Sequence, residues 1–84
     1  MKYIKKGVAV NAVCYTGKNP KAVYDLVHDV CALYKRNDTL YVEMPHKDFA
    51  VKEGDYVIRE MKNKIYSCSA TIFESTYDYI ETND

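Results

Sequence analysis

A chain of 84 residues has material for one modest hydrophobic core and not for two, so residues 1–84 read as a single domain. With 48% apolar and 29% charged residues the composition is that of a folded globular protein and excludes a disordered or fibrous one. Formal net charge is zero, which removes the simplest argument for a general nucleic-acid or membrane-surface binder.

The apolar runs are only a handful of residues long and the N-terminus enters directly into a charged strand. The expectation is neither a membrane span nor a signal peptide. Cys14, Cys31 and Cys68 are odd in number and widely spaced, so reduced thiols in a cytoplasm are expected. Charge is nevertheless uneven. Lys2, Lys5, Lys6, Lys18 and Lys21 crowd the first 21 residues without an acid, while Glu74, Asp78, Glu81 and Asp84 close the chain without a base. Two readings follow: the ends lie close and neutralise each other, or the Lys-rich first strand contacts nucleic acid.

In chain order, Tyr3 to Tyr15 reads as a long first strand with a bulge or bend at Gly7. Val8, Val10, Ala12 and Cys14 alternate with Ala9, Asn11, Val13 and Tyr15, and both sets are largely apolar, so this strand is covered on each face. Thr16 to Pro20 is a turn that launches a helix, with Asn19 as cap and Pro20 in the first helical position. Val23, Leu26, Val27, Val30 and Tyr34 fall in one stripe at helical spacing, which predicts a single long helix to about Lys35 or Arg36, ended by Asn37-Asp38. Thr39 to Met44 is the next strand, then a loop, then a short strand Phe49-Ala50-Val51.

Residues 53–77 are the stretch in which turn, strand and helix signals agree best. Glu53-Gly54-Asp55 is a turn, Tyr56 to Glu60 a strand, Met61 to Lys64 a hairpin break, and Ile65 to Cys68 the return strand. Ser69 caps a short helix over about Ala70 to Tyr77, and Asp78 to Asp84 is a polar, acidic end. The predicted fold is α+β: an antiparallel sheet of four or five strands, one long helix after strand one and a short C-terminal helix.

Lys5-Lys6-Gly7-Val8, Val13-Cys14-Tyr15-Thr16-Gly17, Glu53-Gly54-Asp55-Tyr56-Val57-Ile58, Tyr66-Ser67-Cys68-Ser69-Ala70-Thr71-Ile72-Phe73 and Thr76-Tyr77-Asp78 keep the order and spacing of a known pattern. The chain resembles a widespread family of small proteins encoded in phages and prophages, mostly of firmicutes. Those proteins carry Gln-Trp-Thr-Gly, then Pro-Gly-Asp-Trp-Ile-Ile, Tyr-Pro-Cys-Lys-Pro-Asp-Ile-Phe and a terminal Thr-Tyr-Glu. Here Tyr15 and Tyr56 stand at the Trp positions, and Ser67 and Ala70 at the two prolines. The resemblance implies a phage or prophage accessory protein acting inside a bacterium. Small proteins of that kind often bind a host or defence protein stoichiometrically, and inhibitors of CRISPR nucleases such as Cas9 are prominent among them.

Catalytic chemistry finds little support. The helical pair His28 and Cys31 is the nearest approach to a nucleophile and base, but a third orienting group is missing, and the three glycines form no phosphate-binding loop. No enzyme is expected. For a cofactor, zinc is the one candidate, with His28, Cys31 and Cys68 as ligands and His46 as a substitute third. The remaining feature is nine tyrosines beside two phenylalanines and no tryptophan. Tyr buries large area while keeping a polar tip, so Tyr3, Tyr24, Tyr41, Tyr66 and Tyr79 are the candidate partner-binding residues.

Overall fold

The computed structural model describes the backbone of residues 2–5 and 8–80 and the side chains of residues 9–77. Eight strands and two short helices follow in the order β1 (Lys2–Lys5), β2 (Val8–Cys14), α1 (Pro20–Val27), β3 (Ala32–Arg36), β4 (Thr39–Glu43), β5 (Phe49–Val51), β6 (Tyr56–Arg59), β7 (Ile65–Cys68), α2 (Ala70–Thr76) and β8 (Asp78–Ile80). All strand pairs are antiparallel, in two sheets. One has the order β7-β6-β2-β1-β8 and the other β3-β4-β5.

The α+β class therefore stands, but the single sheet and the long helix do not. Helix α1 ends at Val27, after eight residues. His28 to Cys31 form a tight exit in which the amides of Val30 and Cys31 both donate to the Val27 carbonyl, at 2.9 and 2.8 Å. The chain then returns as strand β3. The reason is the turn at Asn37-Asp38: both residues have positive φ, 52° and 64°, which is the backbone of a two-residue hairpin rather than of a helix end. Once that hairpin forms, Leu33 pairs with Val42 and Tyr34 with Tyr41, so the apolar residues assigned to the helical stripe serve a second sheet instead.

The long first strand is also divided, into β1 and β2, which pair with each other. Gly7, the expected bend, lies outside the described residues. Asn19 does not cap α1 through its side chain. It folds back instead, accepting from the Thr16 amide at 2.7 Å and donating to the Cys14 carbonyl at 2.9 Å, which ties the β2 exit to the helix start.

Residues 53–77 match expectation closely. Gly54 takes φ 92°, the Asp55 carboxylate accepts from the Lys52 amide at 3.0 Å, and Ser69 Oγ accepts from the Ile72 amide at 3.3 Å as the cap of α2. The acidic end is strand through Ile80, and residues 81–84 lie outside the description.

Strand β2 separates two cores, as its two apolar faces require. On one side Tyr15, Val57 and Ile65 pack with Val23 and Val27 of α1 and with Leu40, Val42 and Val51 of the three-stranded sheet. On the other, Val10, Ala12 and Ile58 pack with Phe73 and Tyr77, so α2 covers that face. No described helix is long and apolar enough to cross a membrane.

Candidate functional site

The candidate zinc ligands fall in different places. Cys31 belongs to the core beneath α1, is buried, and directs its thiol to Met44 Sδ at 3.5 Å. Burial pushes the Cys31 thiol pKa up, which disfavours the thiolate that a metal or a nucleophilic mechanism needs. Cys68 packs against the second core, across the five-stranded sheet from Cys31. His28 is exposed at the C-cap of α1, with Nδ1 3.1 Å from the Tyr24 carbonyl oxygen and its ring stacked on Tyr24 at 4.9 Å. His46 is exposed in the loop after β4. Among the described residues no group of three or more His, Cys, Asp or Glu side chains is placed to hold a metal ion.

The candidate tyrosines divide between the two faces. Tyr66 turns into the α2 side, where its hydroxyl meets Glu60 Oε2 and lies 2.5 Å from the Tyr77 hydroxyl. Phe73 stacks between Tyr56, at 3.9 Å, and Tyr77, at 4.5 Å. Burial first, and the contact with Glu60 second, raise the Tyr66 pKa far above its ordinary value, so this phenol stays neutral and structural. Tyr3 and Tyr79 face each other as backbone partners of β1 and β8, and their side chains lie outside the described residues.

Tyr24 and Tyr41 lie on the other side, with a third tyrosine, Tyr34, which the helix assignment hid. Tyr34 and Tyr41 are cross-strand partners whose rings stack at 5.2 Å, 10° from parallel. Asp48 fixes this pair: one carboxylate oxygen accepts from the Tyr34 hydroxyl at 2.6 Å and the other from the Met44 amide at 3.1 Å. That hydrogen bond to Asp48 holds the Tyr34 pKa above the usual phenol range.

Beside this pair runs a groove of about 410 Å³. One wall is the first turn and a half of α1, with Pro20, Lys21 and Tyr24; the other is β3, with Leu33, Tyr34 and Lys35, and Leu40 completes the lining. Tyr24 is 50% exposed there, and Lys21 makes one surface pair with Asp25 at 3.2 Å. The groove can seat an apolar or aromatic side chain between two tyrosines under a cationic rim. A second hollow of about 330 Å³, lined by Tyr15, Gly17, Asp38, Thr39, Val51, Lys52 and Glu53, is more polar.

The groove was hidden in the sequence because three of its residues come from the strand read as helix. An Asn-Asp pair between two runs of β-forming residues was the available signal. No family model matches the chain, and neither the curated proteins nor the solved structures include a match.

Proposed function

We propose that this protein works by binding another protein, and that it is a phage-borne or prophage-borne accessory that occupies a bacterial host or defence protein in the host cytoplasm, most concretely a Cas9-type nuclease. The observation that carries the binding reading is the groove between α1 and β3, where Tyr24 and Tyr34 flank an apolar lining. Half-exposed tyrosines beside a preformed apolar hollow are what a protein interface uses: large area, few rotatable bonds and a polar tip. The target class rests on the motif resemblance at both ends of the chain, and the nuclease is the member of that class to test first.

The test is native mass spectrometry of the chain with a guide-loaded Cas9-type nuclease, run beside a DNA-cleavage assay. A stoichiometric complex together with loss of cleavage is the expected result. Free chain alone in the spectrum, with cleavage unchanged, removes the nuclease; a pull-down from host lysate that recovers no host or defence protein removes the wider reading.

A further inference from the structure

Building on the binding reading above, we propose that the partner is held by strand addition: an acidic, extended polypeptide segment pairs with the open edge of β3 and places one apolar side chain in the adjoining groove. In the three-stranded sheet β3 is an outer strand, paired on one side only. Which of its backbone groups face outward follows from the turn. Asn37 and Asp38 form a two-residue hairpin loop, so Arg36 and Thr39 are a hydrogen-bonded pair and the pairs alternate from there. Tyr34 is thus bonded to Tyr41, whereas Leu33 and Lys35 direct their N–H and C=O groups away from β4. Among the described residues those four groups make no hydrogen bond.

The groove lies along this same edge. Leu33, Tyr34 and Lys35 are consecutive lining residues, and Pro20, Lys21 and Tyr24 of α1 form the facing wall. A strand edge with a helix alongside is the arrangement in which an added strand gains main-chain hydrogen bonds from the edge and side-chain selection from the hollow. Charge selects the occupant. Both ionisable groups other than tyrosine that line the groove are lysines, Lys21 and Lys35, and exposed Arg36 follows on the strand, while Asp25 meets Lys21 alone. A second copy paired through β3 would add its own Lys35 and Arg36 to this edge and bring no acid from the strand to meet them. An acidic segment meets those cations instead.

The test uses the full chain, labelled with nitrogen-15, and two probe peptides: acetyl-Asp-Glu-Ile-Phe-Val-Asp-Glu-amide and its counterpart with lysine at every acidic position. With the acidic peptide at low salt, the largest shifts are expected at Leu33, Lys35 and Tyr24, with amide exchange at Leu33 and Lys35 slowed about tenfold or more. The lysine peptide is expected to bind at least about tenfold more weakly. Lys35→Pro removes an outward N–H without touching the ladder to β4, and should lower affinity at least about tenfold, whereas Lys35→Ala, which keeps the N–H, should lower it only about two- to threefold. Should Lys35→Pro fail to fold, the acidic peptide N-methylated at its central amides asks the same question of the native chain and should bind at least about tenfold more weakly than its parent.

The proposal is overturned by equal binding of the two peptides, by shifts confined to other faces, by no binding of the acidic peptide, or by Leu33 and Lys35 already protected in a dimer of the free chain. Failure here is separable from failure of the wider reading. A host protein captured equally well by the native chain and Lys35→Pro leaves the binding function standing and removes the edge. Binding of the acidic peptide with no host protein captured does the reverse.

Discussion

Arg59 and Asp29, thirty residues apart, meet through both guanidinium nitrogens, at 2.6 and 2.9 Å. Arg59 Nη1 also donates to the Leu26 carbonyl at 2.8 Å and Nη2 to Asn63 Oδ1 at 2.7 Å. One side chain of β6 therefore satisfies a carbonyl at the end of α1, a carboxylate in the exit turn and the amide of the β6–β7 loop. A side chain that joins three segments in this way fixes where α1 stops, and hence where β3 begins.

Asp29→Asn should destabilise the chain at neutral pH and leave it unchanged in acid. The hydrogen bond from Arg59 holds the Asp29 carboxyl below its ordinary 3.8. For a depressed carboxylate the stabilisation is present above the unfolded pKa and is lost as pH falls through the folded value. The difference between native chain and variant in urea unfolding should thus be constant from about pH 5 upward and vanish well below pH 3.8. A difference that persists unchanged into acid would mean that the pair acts by shape and not by charge.

Tyr66→Phe tests the other face. It removes the hydroxyl that links Glu60 and Tyr77, and should cost about 1–3 kcal/mol near neutrality in chemical denaturation. The alkaline limb carries the sign. A phenol whose folded pKa lies above its unfolded 10.0 stabilises fully below that pH and progressively less as pH rises past it. The native chain should therefore lose stability more steeply above pH 10 than Tyr66→Phe does. Parallel curves would remove this role.

How far the sequence could be read depends on how local the determining signals are. Gly54-Asp55, the β-branched and aromatic content of Tyr56 to Arg59 and the Ser69 cap each act within a few residues, and all three appear as expected. The region 28–36 failed because Val27, Val30 and Tyr34 satisfy a helical spacing while Ala32 to Arg36 are equally able to pair with Thr39 to Glu43. Tertiary pairing decided between them. The same ambiguity concealed the groove: Tyr24 and Tyr41 were recognisable as surface tyrosines, but Leu33, Tyr34 and Lys35 reach the site only as a strand. The candidate zinc residues lie apart for a related reason, since pairing β7 beside β6 carries Cys68 to the face opposite Cys31.

The turn that corrects the helix can be tested directly. Asp38→Gly places at φ 64° a residue that adopts positive φ without steric cost, giving the favoured Asn-Gly hairpin. It should stabilise the chain by about 0.5–1 kcal/mol, read as a raised urea midpoint with an unchanged slope. An unchanged or lowered midpoint would mean that the positive φ at Asp38 carries no strain for glycine to relieve.

Phe73→Ala should be the most damaging single truncation on the α2 side. Phe73 is 1% exposed and stacked between Tyr56 and Tyr77, and removing its ring leaves a cavity that two flat rings cannot close. The expected cost is about 3–5 kcal/mol, a large share of the stability of so small a domain. Thermal unfolding by circular dichroism checks it, and a loss of under about 1 kcal/mol would show that α2 is dispensable to the second core.

Tyr24→Ala separates interface from core. Tyr24 is half exposed and its ring stacks on exposed His28, so folding stability should change by no more than about 0.5 kcal/mol. Loss of one wall of the groove should still weaken the bound acidic peptide by about tenfold. Tyr66→Phe should show the opposite pattern, a stability loss with unchanged peptide affinity, because Tyr66 lies on the α2 face of the sheet. Measuring both variants by unfolding and by peptide titration makes the assignment two-sided. If Tyr24→Ala lowers stability as much as affinity, the ring supports the fold and the groove loses its selecting residue.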